Sequence, residues 1–149
     1  MPGSCWCMWW RQRTGDAVKN KNAMRSLVHG GDDPGLLAYK DGVPVGWVSV
    51  GRRESFGQLM RSPQYKPRDD DPHVFAIVCF YVDPRSRHAG VSGALLDAAV
   101  EWARGQRATA IEAYPNSSPD FMGRLEAFER RGFEPVRVAG KRSIIRLVL

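Results

Sequence analysis

Residues 80–96 read Phe80-Tyr81-Val82-Asp83-Pro84-Arg85-Ser86-Arg87-His88-Ala89-Gly90-Val91-Ser92-Gly93-Ala94-Leu95-Leu96. An apolar strand end runs through a basic, glycine-bearing turn into the start of a helix. The first turn of a helix carries backbone N–H groups without intrahelical partners, together with the positive end of the macrodipole. A diphosphate is held there without a dedicated side chain, and glycine at position 90 lets the backbone approach it closely. Upstream the strand extends over 74–82. Downstream the helix continues over 90–107, with Leu95, Ala98, Ala99 and Trp102 at helical spacing.

The run Arg87-His88-Ala89-Gly90-Val91-Ser92 resembles the coenzyme A turn of the GNAT N-acetyltransferases: Gln or Arg, two residues, Gly, one residue, then Gly or Ala. Ser92 departs from that pattern but is small. Glu129-Arg130-Arg131-Gly132-Phe133 resembles the closing Gly-Phe signature of the same family. Many members place a Tyr four residues before that Gly, where its hydroxyl protonates the departing thiolate. Here the position is Phe128, and the accompanying Asn and Ala are replaced by Phe121 and Arg124. The Trp-rich start Cys5-Trp6-Cys7-Met8-Trp9-Trp10-Arg11, with Val45-Gly46-Trp47-Val48-Ser49, looks like an uncharacterised bacterial-type subgroup.

The resemblance implies an α/β (α+β) fold: one domain over 1–149, with a central mixed, mostly antiparallel sheet splayed between two central strands and helices on both faces. It implies acetyl-CoA as co-substrate, no metal, and direct acetyl transfer to an amine, either a small molecule or a protein amine. Phe80, Tyr81 and Val82 would pair with the pantetheine amides as a neighbouring strand would. Arg87, His88, Ala89, Gly90, Val91, Ser92 and Gly93 would hold the diphosphate. A backbone N–H of that strand would face the developing oxyanion.

The residue that takes the amine's proton is less determined. Members of the family often use a Glu on the strand before the turn, and strand 74–82 has none. Glu112 on the next strand and His73 at the loop edge are the candidates, with Glu54 more distant; for each, a solvated or paired surface group is the favoured reading over the base. Alternation puts Glu112 on the same face as Tyr114, which could supply the proton that Phe128 cannot. Water is a further route. A thiolate leaves without help, the ordinary pKa of a thiol being about 8.5.

Composition sets the outer limits. A chain of 149 residues with 43% hydrophobic content suits one domain and one core. No stretch is long enough to cross a bilayer, and the cluster 5–10 is too short and aromatic for a secretion signal, so the expected location is cytoplasmic. The formal charge of +6 is spread along the chain with no block of like charge and no nucleic-acid-binding motif. A basic nucleic-acid-interaction protein is therefore the third reading, after an enzyme and a catalytically silent acetyl-CoA-binding module. A homodimer stays open. Cys5, Cys7 and Cys79 are odd in number and, with His29, His73 and His88, have no metal-site spacing; buried thiols are the expected role.

The remaining punctuation gives the element order. Residues 5–11 read as a first strand, with Cys5 and Cys7 on one face. A helix covers Ala17–His29 between an Asp16 cap and a Gly30-Gly31 stop. Strands 35–39 and 43–50 form a hairpin about Asp41-Gly42. Residues 52–72 read as a long irregular excursion, with Pro63, Pro67, Pro72 and the run Asp69-Asp70-Asp71. After strand 74–82 and helix 90–107 come strand 108–114, a helical segment within 121–131, and one or two strands in 134–149.

Overall fold

The computed structural model describes residues 5–149, which contain six strands: β1 (Leu36–Lys40), β2 (Val43–Arg52), β3 (Val74–Val82), β4 (Ala110–Ala113), β5 (Glu134–Ala139) and β6 (Arg142–Val148). They form one mixed sheet of order β1-β2-β3-β4-β6-β5. Every neighbouring pair is antiparallel except β3 and β4, which are parallel.

Strand β3 is almost continuously apolar because both of its faces are covered. Phe75 and Ile77 enter one core with Val48 and Val50 of β2. Over them lies α3 (Val91–Gly105), whose Leu95, Leu96, Ala99, Val100 and Ala103 form its buried stripe. Gly46 makes room for that helix: a Cβ there would stand 2.7 Å from Val91 Cγ1 and 3.0 Å from Leu95 Cδ1. The short α4 (Leu125–Glu129) adds Phe128, fully buried and packed edge-on against Phe80 and Phe133. Ala76 and Val78 point the other way, into a second core with Trp10, Phe56, Leu59, Tyr114, Met122 and Ile144.

The local signals in the first half hold. Helix α1 is Ala17–His29, and the Asp16 carboxylate accepts from the amides of Val18 (2.9 Å) and Lys19 (3.1 Å). Asp41 and Gly42 both take left-handed φ, 51° and 77°, which joins β1 to β2 by a tight hairpin turn.

Two expectations are corrected. Residues 5–11 are a succession of turns, not a strand: Trp6 and Cys7 have positive φ, and the Met8 and Arg11 amides donate back to the carbonyls of Cys5 and Met8. Met8 and Trp10 are still buried, Trp10 within the second core, but a chain of turns and not an extended strand brings them there. The excursion 52–72 is more ordered than its prolines suggest. It holds a 3₁₀ turn (Arg53–Ser55) and α2 (Gly57–Arg61), because Phe56 and Leu59 are fully buried. The helical segment expected within 121–131 is α4, which begins after Gly123, at φ 95° beside the Phe128 ring.

Cys7 Sγ lies 3.9 Å from Cys79 Sγ, and among the described residues no disulfide is formed. Among them too, no helix is long and apolar enough to cross a membrane, and no cluster of His, Cys, Asp and Glu is arranged to hold a metal ion.

Candidate functional site

The parallel pairing of β3 with β4 runs from Val74↔Ala110 to Ile77↔Ala113 and stops. Strand β3 continues to Val82, whereas the segment after β4 turns away: Tyr114 buries its ring in the second core and Pro115 has no N–H to donate. The two strands therefore fork, and the backbone edge of β3 beyond Ile77 is released. The β2–β3 register slips at the same level, from Val50↔Ile77 to Ser49↔Cys79, leaving Val78 as the extra residue of a bulge.

Above the fork, Asp83 closes a 3₁₀ turn (Pro84–Ser86) by accepting from the Arg85 amide at 2.9 Å. The chain then reaches α3 through two left-handed residues, His88 (φ 61°) and Gly90 (φ 80°). Gly90 is the N-cap, and no side chain caps the helix start. A Cβ on Gly90 would meet nothing within 4 Å, so the space before the first-turn amides is open. From the other side Arg131 braces this turn, donating to the Gly93 carbonyl (3.3 Å) and to both oxygens of Asp97 (2.5 and 3.2 Å). An uncapped, braced helix start beside a released strand edge fits an acyl-CoA diphosphate and its pantetheine arm.

Not every residue assigned to that arm presents its backbone to the fork. The Phe80 amide points there and is taken by the Phe121 carbonyl at 2.6 Å. By alternation Val82 shares this edge, and its carbonyl accepts from Arg87 Nε at 3.4 Å. Tyr81 pairs with Trp47 of β2, so its backbone groups face β2 and only its side chain is exposed.

Phe121 belongs to a strap, residues 115–124, that lies across the fork. Arg142 ties the strap down, donating to Asp120 Oδ2 (2.7 Å) and Oδ1 (3.3 Å) and to the Tyr114 carbonyl (3.1 Å). Arg131 was visible in the sequence only as part of the Gly-Phe signature. Arg142, Asp120 and the Phe121 carbonyl had no sequence signal, because their roles depend on contacts between β6 and the strap.

Glu112 and Tyr114 do meet, with the Tyr114 hydroxyl donating to Glu112 Oε2 at 3.0 Å, but they meet in the core. Glu112 is 4% exposed, and its Oε1 accepts from Arg53 Nη1 (3.2 Å) and from Arg146 Nε (3.1 Å) and Nη2 (2.5 Å). Asp69 joins the same two guanidiniums, and its hydrogen bond from Arg53 holds the carboxyl well below the usual range. Burial, then the nearby Glu112 charge, push the Tyr114 phenol well above its ordinary value.

His73 is exposed at the opposite end of β3. At about 3.3 Å per residue it stands roughly 30 Å from the strand end that carries the turn. Glu54 is exposed in the 3₁₀ turn after β2. A cavity of about 490 Å³, walled by Arg11, Leu27, Phe75 and Trp102, opens at that same far end and shares no residue with the fork. The released backbone edge and this concavity are thus separate features of the fold.

The sequence model of the acetyltransferase (GNAT) family matches residues 4–133, and the chain belongs to that family. Solved structures share the fold. Ribosomal-protein-alanine N-acetyltransferase from Brucella melitensis is 17% identical with a TM-score of 0.59, over 94% of this chain and 83% of that one. The PaiA N-acetyltransferase from Thermoplasma acidophilum, solved with coenzyme A, is 13% identical at TM-score 0.60, covering 91% and 72%. YncA from Salmonella typhimurium, solved with acetyl-CoA, is 19% identical at TM-score 0.60, covering 94% and 78%. No curated protein matches the chain significantly.

Proposed function

We propose that this member of the acetyltransferase family moves the acetyl group of acetyl-CoA directly onto an amine at the β3–β4 fork. The observation that carries the reading is a coincidence in space: pairing of β3 stops after Ile77, and the uncapped start of α3 follows the end of the same strand. The first-turn amides of α3, with Gly90 in its left-handed conformation, hold the diphosphate. The free edge at Phe80 and Val82 takes the pantetheine amides, in competition with the Phe121 carbonyl for the Phe80 N–H.

In the transfer, the amine nitrogen forms a C–N bond to the acetyl carbon as the C–S bond breaks. The thiolate leaves on its own acidity and picks up a proton from water, since Phe128 offers a bare ring. The proton lost by the amine also goes to water. Glu112 serves the fold: it is buried, and two guanidiniums and a phenol hydrogen-bond to its two oxygens. His73 is too far away. The acceptor is a small-molecule or protein amine, and the chain works in the cytoplasm.

Calorimetric titration of acetyl-CoA into the wild type and Gly90→Val tests this. Valine at φ 80° is strained and would project into the diphosphate space, so affinity should fall at least about tenfold. Ser92→Gly should leave affinity at or above wild type. Equal binding by wild type and Gly90→Val would overturn the assignment.

A further inference from the structure

The sheet face opposite α3 carries an apolar row that leads to the fork. Leu37, Trp47 and Tyr81 are register partners on β1, β2 and β3, so their side chains lie side by side across three strands. Their sequence neighbours Leu36, Ala38, Val48 and Phe80 pack into the first core, which places the row on the second face. Leu37 is 52% exposed and Tyr81 56% exposed. The Trp47 indole is seated by a missing side chain: a Cβ on Gly35 would stand 2.6 Å from its Cη2. Two residues farther along β2 on the same face, the Ser49 hydroxyl is fully buried and has no hydrogen-bond partner.

Charge sorts the possible occupants. The carboxylates on or beside this face are already matched: Glu112 and Asp69 by Arg53 and Arg146, and Asp120 by Arg142. None of them is left for the additional ammonium groups of a polyamine, and the chain as a whole is at +6. An apolar wall also does chemical work on the acceptor, because burial disfavours the charged ammonium and raises the fraction of nucleophilic free amine. That supplies what a side-chain base would otherwise provide.

We propose that the acceptor is a single amine on an apolar body of aromatic size, seated on the Leu37–Trp47–Tyr81 row with its nitrogen toward the fork. Two buried polar atoms of β2 without hydrogen-bond partners lie on this face, Trp47 Nε1 in the row and the Ser49 hydroxyl beyond it. This rests on the acetyl-transfer reading above, and the row determines specificity within it.

The test is coenzyme A thiol release by the whole chain with phenethylamine and tryptamine against spermidine and lysine, with acetyl-CoA binding measured in parallel. The aromatic amines should be favoured at least about tenfold in kcat/KM, and Leu37→Ser should remove most of that preference while acetyl-CoA binds as before. Across benzylamine and a fluorinated analogue of lower basicity, the pH midpoint of kcat/KM should move with the acceptor's own pKa. Preference for spermidine, or a pH midpoint fixed across acceptors, would overturn the proposal and leave acetyl transfer standing. A wild-type dimer in sedimentation that dissociates in Leu37→Ser would assign the row to a second copy of the chain. Failure to bind acetyl-CoA at all would overturn both readings.

Discussion

The two halves of β3 are built from the same kind of residue and do opposite things. From Val74 to Ile77 the strand is paired on both edges, and beside it Glu112, Arg53, Arg146, Asp69 and Tyr114 satisfy one another in a closed charged cluster. From Val78 to Val82 it has a strand neighbour on one edge only, the other edge meeting the strap at Phe80, and the opening has an uncapped helix start above it. The half flanked by acid, base and phenol has those groups turned on one another. The other half has no such cluster beside it, and what it offers along the fork is backbone amides and carbonyls.

The largest test of this contrast is Glu112→Gln. Removing the charge leaves Arg53, 4% exposed, without its buried partner; the expected cost is about 3 kcal/mol or more, roughly 10 °C in melting temperature. Below the melting range, the pH profile of kcat/KM should stay as in the wild type. Loss of its acidic limb would return Glu112 to the role of base and break the contrast.

Asp69 gives a smaller effect with a definite sign. Arg53 and Arg146 depress its folded pKa, so its contribution is full above the unfolded value, about 3.9, and is lost as pH falls through the folded one. Its carboxyl is partly exposed, which limits the contribution to about 1 kcal/mol. In thermal melts the gap between wild type and Asp69→Asn should be constant near neutrality and close on acidification. A gap that widened in acid would contradict the pairing.

In the forked half, Asp120→Asn loosens the strap by weakening its tie to Arg142. Freed from the Phe121 carbonyl, the Phe80 amide becomes available, and acetyl-CoA affinity should rise about two- to fivefold, the range of a partly exposed ion pair. Weaker binding would mean that the closed strap forms part of the cofactor site. The smallest effect belongs to His73→Ala, at the far end of the paired half, where kcat/KM should stay within about twofold, since surface changes remote from a site alter little. A loss beyond that would place chemistry at the wrong end of the strand.

How much was legible beforehand follows from the range of the interactions. The Asp16 cap, the Asp41-Gly42 turn and the α3 helix are decided by residues within a few positions of one another, and all three stand in the structure, although the buried stripe of α3 runs through Leu96 and Val100 and leaves Ala98 exposed. Residues 5–11 misled because aromatic and apolar density suits a strand and a packed turn alike; positive φ at Trp6 and Cys7 is not written in composition. The surroundings of Glu112 were illegible for a related reason. Alternation correctly paired it with Tyr114, but Arg53 and Arg146 arrive from 59 residues before and 34 residues after, and only their arrival turns a candidate base into a filled ion site.

The sequence by itself determined the family, the strand–turn–helix at 74–105 and the glycine at its hinge, since each rests on local backbone preference and side-chain spacing. Tertiary structure alone decided where β3 and β4 part, that Phe121 closes on Phe80, and that Leu37, Trp47 and Tyr81 line up beside the opening. Those are register and long-range contact facts. They are fixed when Tyr114 leaves the sheet for the second core and the strands settle against their neighbours, and a one-residue slip in register would move every side chain of a strand to its other face.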